Sequence, residues 1–115
     1  MASAMCETFP PASVQIVNGR RVYRSQHMVA TMNDTGSDIL YNVEAIMFDS
    51  LGHHGTASAR DVVAPGSGSS ASGPYFVDFD ASMFPSGVEV QFTCETHVTA
   101  GLSAVDRKVN QITTE

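Results

Sequence analysis

Cys94 and His97 have the side-chain types for two kinds of chemistry, metal ligation and thiol–imidazole catalysis. A zinc site needs three or four such ligands to converge, and a catalytic thiol needs a base within hydrogen-bonding distance. The residues around this pair alternate in polarity, as in a β-strand, and residues three apart on a strand point to opposite faces. We therefore expect neither a shared metal nor a catalytic pair, and we expect Cys94 to be a small buried side chain.

His53 and His54 lie beside a turn sequence that contains Asp49. Oxygen ligands in turns can hold Ca²⁺, but the spacing of the acids does not resemble an EF-hand loop. Aspartates in turns more often accept hydrogen bonds from the backbone two residues on. We read the histidines as loop residues or as a contact that senses pH. The predicted turns contain Asp34, Asp38 and Asp49, and one face of a predicted strand carries Asp78 and Asp80.

Serine and threonine are abundant, yet the sequence contains no G-x-S-x-G nucleophile elbow. Together with the poor geometry expected of the cysteine–histidine pair, this predicts a protein that is not an enzyme. We expect no catalytic residue, no cofactor and no bound metal.

The chain has 115 residues with a formal net charge of −6, and 16% of its residues are charged. An acidic chain lacks the basic surface that a nucleic-acid backbone or an anionic membrane requires, so neither is an expected partner. Arg20, Arg21 and Arg24 form the one basic cluster, which suits a solvated strand face better than an anion site. Lys108 is the only lysine, and a surface this poor in charge hints at a protein partner.

The elements that must position these residues are strands. Residues 88–98 alternate between apolar and polar side chains, which predicts a half-buried antiparallel strand. Residues 27–33 and 41–48 alternate as well, and Asn18-Gly19 is a strong hairpin signal. Short strands separated by regular turn signals predict an all-β fold. We expect a single antiparallel β-sandwich of immunoglobulin-like type with seven to eight strands.

The domain organisation follows from the turn and loop signals. Pro10-Pro11 predicts that residues 1–12 form an N-terminal arm, which leaves residues 13–115 as the β-sandwich domain. The run PGSGSSASG, residues 65–73, predicts a flexible loop. Residues 80–87 predict a connection with one helical turn.

Residues 27–80 resemble the CARDB and FxLYD immunoglobulin-like modules. The resemblance is carried by Met32-Asn33 followed by Thr35-Gly36, by Asn42-Val43 leading into Phe48-Asp49 and Gly52, and by Ala64-Pro65-Gly66-Ser67 before a Tyr/Phe strand. It implies an immunoglobulin-like fold and an adhesion or accessory role without catalysis, commonly outside the cytoplasm.

These features favour a structural assembly protein, most of all a virion component such as a capsid decoration (cement) or tail-associated protein. The sequence MASAMCETFPP has no signal-peptide pattern, so we expect synthesis in the cytoplasm and location in the virion. Partners would be copies of the same chain or a capsid lattice. The alternative is an immunoglobulin-like binding module, extracellular or on a cell surface.

Three segments are candidates for the protein contacts: the N-terminal arm, the tail after Val109, and the polar face of the strand over residues 88–98. That polar face suits an ordinary solvated sheet equally well. The candidate contact residues are Cys6, Phe9, Pro10, Pro11, Gln91, Thr93, Glu95, His97 and Ile112.

Overall fold

The structure, a computed structural model, describes all residues from Met1 to Glu115, and its regular elements are all β-strands apart from one 3₁₀ turn. Eight strands form two antiparallel sheets, which confirms the predicted β-sandwich. The strands are β1 (Ala2–Phe9), β2 (Val14–Val17), β3 (Arg20–Asn33), β4 (Ile39–Asp49), β5 (His54–Ala64), β6 (Gly68–Asp80), β7 (Glu89–Thr99) and β8 (Ala104–Thr113). The fold contains no helix long and apolar enough to cross a membrane.

The first sheet is built around β3, which has 14 residues. One edge of β3 pairs with both β1 and β2, and its other edge pairs with β6. The hairpin between β2 and β3 turns at Asn18-Gly19, as the sequence predicts. Both residues have positive φ, 51° and 78°, which a type I′ turn requires at its two central residues.

The second sheet has the strand order β5-β4-β7-β8. β4 is therefore a central strand and β5 an edge strand. The predicted helical turn is a 3₁₀ turn over Ala81–Met83, where the Asp80 carboxylate accepts a hydrogen bond from the backbone N–H of Ser82.

The interior consists of two apolar clusters. The larger one contains Tyr23, Met47, Phe79 and Phe92, and the smaller one contains Val29, Tyr41, Val43 and Val98. Along β3 and β7, the inward residues between these clusters are Ser25, His27 and Thr96, all fully buried. We call Thr8, Ser25, His27 and Thr96 the polar layer.

Two predictions about irregular segments are wrong. Ala2–Phe9 is not an arm, because it pairs along its whole length with Gln26–Asn33 of β3. The predicted loop 65–73 is in strand from Gly68 onward, paired with Val29–Asn33. Small Ser, Ala and Gly side chains weaken the periodicity of a strand without preventing its backbone from pairing.

Candidate functional site

The outer surface of the first sheet is a broad apolar face. Met5 is 72% exposed and Met32 is 48% exposed, although both lie in regular strands. The register places Met5 of β1 beside Ala30 of β3, and Ala30 beside Ala71 of β6. We call this surface the methionine face; its residues are Met5, Met28, Ala30, Met32 and Ala71.

Aromatic residues extend the methionine face toward β2. Phe9 and Phe76 flank Gln26 on its two neighbouring strands, and both rings are partly exposed. Arg24 lies 4.0 Å above the Phe76 ring and donates two hydrogen bonds to Asp78, at 2.8 and 2.9 Å. The Arg24 charge is thereby neutralised at this border of the apolar surface.

The methionine face is almost free of charge. Glu7 is the only charged residue in β1, and its neighbour across the strand pair is Met28. Methionine side chains are flexible and polarizable, so they adapt to apolar partners of varied shape. Contiguous exposed apolar surface of this kind marks protein-contact sites on soluble proteins.

The expected contact residues at the N-terminal end differ in how far their side chains are exposed to solvent. Phe9 is exposed and adjoins the methionine face, and Pro10 is half-buried. Pro11 is buried and its carbonyl accepts a hydrogen bond from Asn110 Nδ2 at 2.9 Å, which leaves little of its side chain for a partner. Cys6 is half-buried against the smaller apolar cluster.

The expected contact residues of β7 lie on the outer face of the second sheet. Glu95 and His97 are half-buried and form a hydrogen bond of 2.7 Å, while Gln91 is exposed. Thr93 is buried between Phe48 and Val109 on the adjacent strands, so it offers no contact surface. Ile112 of β8 packs against the larger apolar cluster and is a core residue.

A hydrogen-bonded chain runs through the polar layer. Ser25 Oγ is 2.7 Å from His27 Nε2, His27 Nδ1 is 2.8 Å from Thr96 Oγ1, and Thr96 Oγ1 is 2.7 Å from Thr8 Oγ1. Burial lowers the pKa of His27 from 6.5 to about 4. It also raises the pKa of the Cys94 thiol to about 12.

The polar layer has the residue types of a catalytic site, but no substrate can reach it. Ser25, His27, Thr96 and Cys94 are all fully buried. Its effect is structural, since it connects β1 and β3 to β7 across the sandwich. The sequence signal was the serine and histidine two apart on one strand face, which the sequence interpretation did not use.

The remaining histidines and acids have local partners. The Asp49 carboxylate accepts hydrogen bonds from the backbone N–H groups of Leu51 and His53 and lies 2.8 Å from His53 Nδ1, which is the turn-forming role predicted for it. Cys94 is buried while His97 lies on the opposite face of β7. No three metal-ligating side chains converge in the structure.

The basic cluster is neutralised by carboxylates, as expected for a solvated strand face. Arg20 bonds Asp80 at 3.2 Å and Arg21 bonds Glu115 at 2.7 Å, and Arg24 forms the pair with Asp78 described above. These side chains are not arranged to converge on an anion.

The fold defines the class of protein as a two-sheet antiparallel β-sandwich. No protein-family model and no curated protein matches the chain. The chain aligns over 98% of its length with 71% of the solution structure of a candidate late embryogenesis abundant (LEA) protein, with a TM-score of 0.52 and 9% identity. It also aligns over 98% of its length with 86% of a structural-genomics target solved by X-ray crystallography, with a TM-score of 0.40 and 12% identity. The first likeness shows a shared fold alone.

Proposed function

We propose that this chain is a non-catalytic assembly protein that binds other protein through the methionine face. The observation that carries the proposal is the exposure of Met5 and Met32 in a regular, well-paired sheet. When a partner covers water-exposed methionines, the burial of their apolar surface stabilises the complex by about 25 cal/mol for each Å² buried. Glu7 is the one unpaired charged side chain beside this face, so the desolvation cost of such contact is low.

The kind of assembly that we propose is a virion. A capsid decoration or tail-associated protein of a virion would use such a face against copies of itself or against a capsid lattice. Only 16% of the residues are charged, and the single lysine, Lys108, bonds Asp106 within β8. The surface is therefore poor in the mobile charged side chains that oppose close packing of many subunits.

A second candidate function is an immunoglobulin-like binding module of the CARDB or FxLYD kind. The observation that favours it is a smaller exposed apolar area on the outer face of the second sheet. Val105 is 65% exposed and Val109 is 48% exposed, and Glu95 bonds Arg107 between them at 3.4 Å. A binding module would use this face for a foreign ligand and leave the methionine face free.

Matched substitutions on the two faces test which surface makes the contact. Met5→Glu with Met32→Glu places charge on the methionine face, and Val105→Glu with Val109→Glu does the same on the second sheet. We expect sedimentation velocity to show loss of self-association in the first variant only, with both variants folded by circular dichroism. Self-association that survives in the first variant and is lost in the second would reject the methionine face.

A further inference from the structure

β1 and β2 occupy the same edge of β3 but are separated by an irregular segment. Phe9 pairs with Gln26 and Val14 pairs with Tyr23, so the four residues Pro10 to Ser13 lie opposite only two residues of β3. Pro10 and Pro11 have no backbone N–H, so neither can donate a ladder hydrogen bond to β3. The segment 10–13 is thus the natural hinge for movement of β1 relative to the rest of the sheet.

β1 is held mainly by its backbone. Its inward side chains are small: Ala2, Ala4 and Cys6 are half-buried, and Thr8 alone is fully buried. Its large side chains, Met5 and Phe9, lie outside the sandwich and are exposed. Detachment of β1 would therefore lose little buried apolar surface and would break one buried side-chain hydrogen bond to the second sheet, between Thr8 and Thr96.

Detachment would leave the edge of β3 from Gln26 to Asn33 without a partner. An unpaired strand edge is a template for another strand, and the strand that fits this edge in sequence and register is β1 of a second copy. Glu7 is the only charge that β1 brings, and its neighbour on β3 is the uncharged Met28. Exchange therefore adds no like-charge contact at this edge, although each chain carries a net charge of −6.

We propose that two copies of this chain associate by exchanging β1, each inserting its Ala2–Phe9 against Gln26–Asn33 of the other, with residues 10–13 as the hinge. This inference rests on the proposed assembly function and names the partner as a second copy. Exchange reproduces every contact of β1 between chains, so only the hinge must change conformation. It also brings the two methionine faces into one assembly.

A pair of engineered cysteines distinguishes exchange from ordinary contact. Directly opposed residues of antiparallel strands have Cα atoms about 4.5–5.5 Å apart, within the range that a disulfide spans. Glu7→Cys with Met28→Cys links β1 to the β3 edge that it occupies. Ala30→Cys with Ala71→Cys is the matched control, because it links β3 to β6 within one chain. Both pairs are placed in a chain carrying Cys6→Ser and Cys94→Ala.

We expect the self-associated fraction, once oxidised, to run as a covalent dimer on a non-reducing gel for the Glu7/Met28 pair and as a single chain for the control pair. Single chains for both pairs, from a sample that light scattering shows to be associated, would reject exchange and leave the assembly function standing. Single chains from a sample that is monomeric throughout would reject both.

A second measurement uses the unmodified chain and needs no engineered bridge. A fluorescent synthetic peptide of residues 1–12 is incubated with the full-length protein, and its binding is followed by anisotropy. We expect slow uptake that a peptide carrying Met5→Pro does not show, because proline disrupts strand pairing. Equal anisotropy for the two peptides would overturn the exchange of β1.

Discussion

Thr96 is the central residue of the polar layer, since its hydroxyl is within hydrogen-bonding distance of both His27 Nδ1 and Thr8 Oγ1. Thr96→Val keeps the shape of the side chain but leaves two buried polar groups without that partner. We expect a loss of about 1–3 kcal/mol in the free energy of unfolding, measured with urea. Thr99→Val, at an exposed position of the same strand, is the control and should change stability by less than about 0.5 kcal/mol. Equal losses in the two variants would show that the hydrogen bonds of the polar layer do not stabilise the fold.

His27 should make the protein sensitive to mild acid. Its pKa is lowered by burial to about 4 in the folded protein, against 6.5 for an exposed histidine. Between those pH values the unfolded chain binds a proton that the folded chain does not, so stability falls as pH decreases from 6.5 to 4. This difference in proton binding lowers the free energy of unfolding by about 3 kcal/mol between pH 6.5 and pH 4.

The measurement for His27 is the free energy of unfolding of the unmodified chain and of His27→Gln at several pH values. The variant should be less stable at pH 7 and should lack the histidine component of the slope between pH 6.5 and 4. Asp34, Asp80 and Asp106, whose pKa values are lowered by hydrogen bonds and nearby cations, titrate in both proteins and cancel in the difference. Parallel pH profiles of the two free energies of unfolding would contradict the contribution of His27 to the acid sensitivity.

The sequence alone separates the side chains of β3 into two sets but does not tell which set faces inward. Met28, Ala30 and Met32 alternate with His27, Val29, Thr31 and Asn33, and the methionine set is the more apolar on average. The structure buries the other set, because His27 and Asn33 find hydrogen-bond partners inside the sandwich. Those partners come from β7 and from the last residue of β5, so local sequence could not supply them, and the methionine face was not anticipated.

At the scale of elements, the strands with strong alternation are the ones that sequence predicts well. Residues 88–98 and 41–48 correspond to β7 and β4 within one or two residues. β1 and the first half of β6 were missed because Ala, Ser and Gly give weak periodicity and because Pro10-Pro11 signals an irregular segment. Each of these strands pairs with β3 through its backbone, and backbone pairing does not depend on apolar side chains.

Removal of β1 tests whether it belongs to the sandwich. A chain lacking residues 1–9 loses the backbone hydrogen bonds between β1 and Gln26–Asn33 of β3. It also loses the hydrogen bond between Thr8 and Thr96. We expect the urea midpoint to fall, with a loss in free energy of unfolding on the order of a few kcal/mol, and we expect the freed β3 edge to promote aggregation. An unchanged midpoint would show that the segment is a dispensable arm, as the sequence interpretation predicted.

At the scale of the whole molecule, the sequence predicts the two-sheet sandwich because turn signals recur between short alternating segments, and the structure confirms it. The molecule is an elongated slab of 53 × 25 × 17 Å. A slab exposes much surface for its volume, and here the first sheet turns its methionine face outward. The inner face of this sheet already packs against the core. Association through the methionine face would bury its outer face as well.

The central claim, that this chain is an assembly protein, is tested most directly by its mass in solution. Light scattering of the untagged full-length chain is recorded across a range of concentrations. We expect masses that are multiples of 12.2 kDa and that rise toward a limit with concentration, as for a closed oligomer. A mass of 12.2 kDa at every concentration would contradict self-assembly and would favour the binding-module alternative.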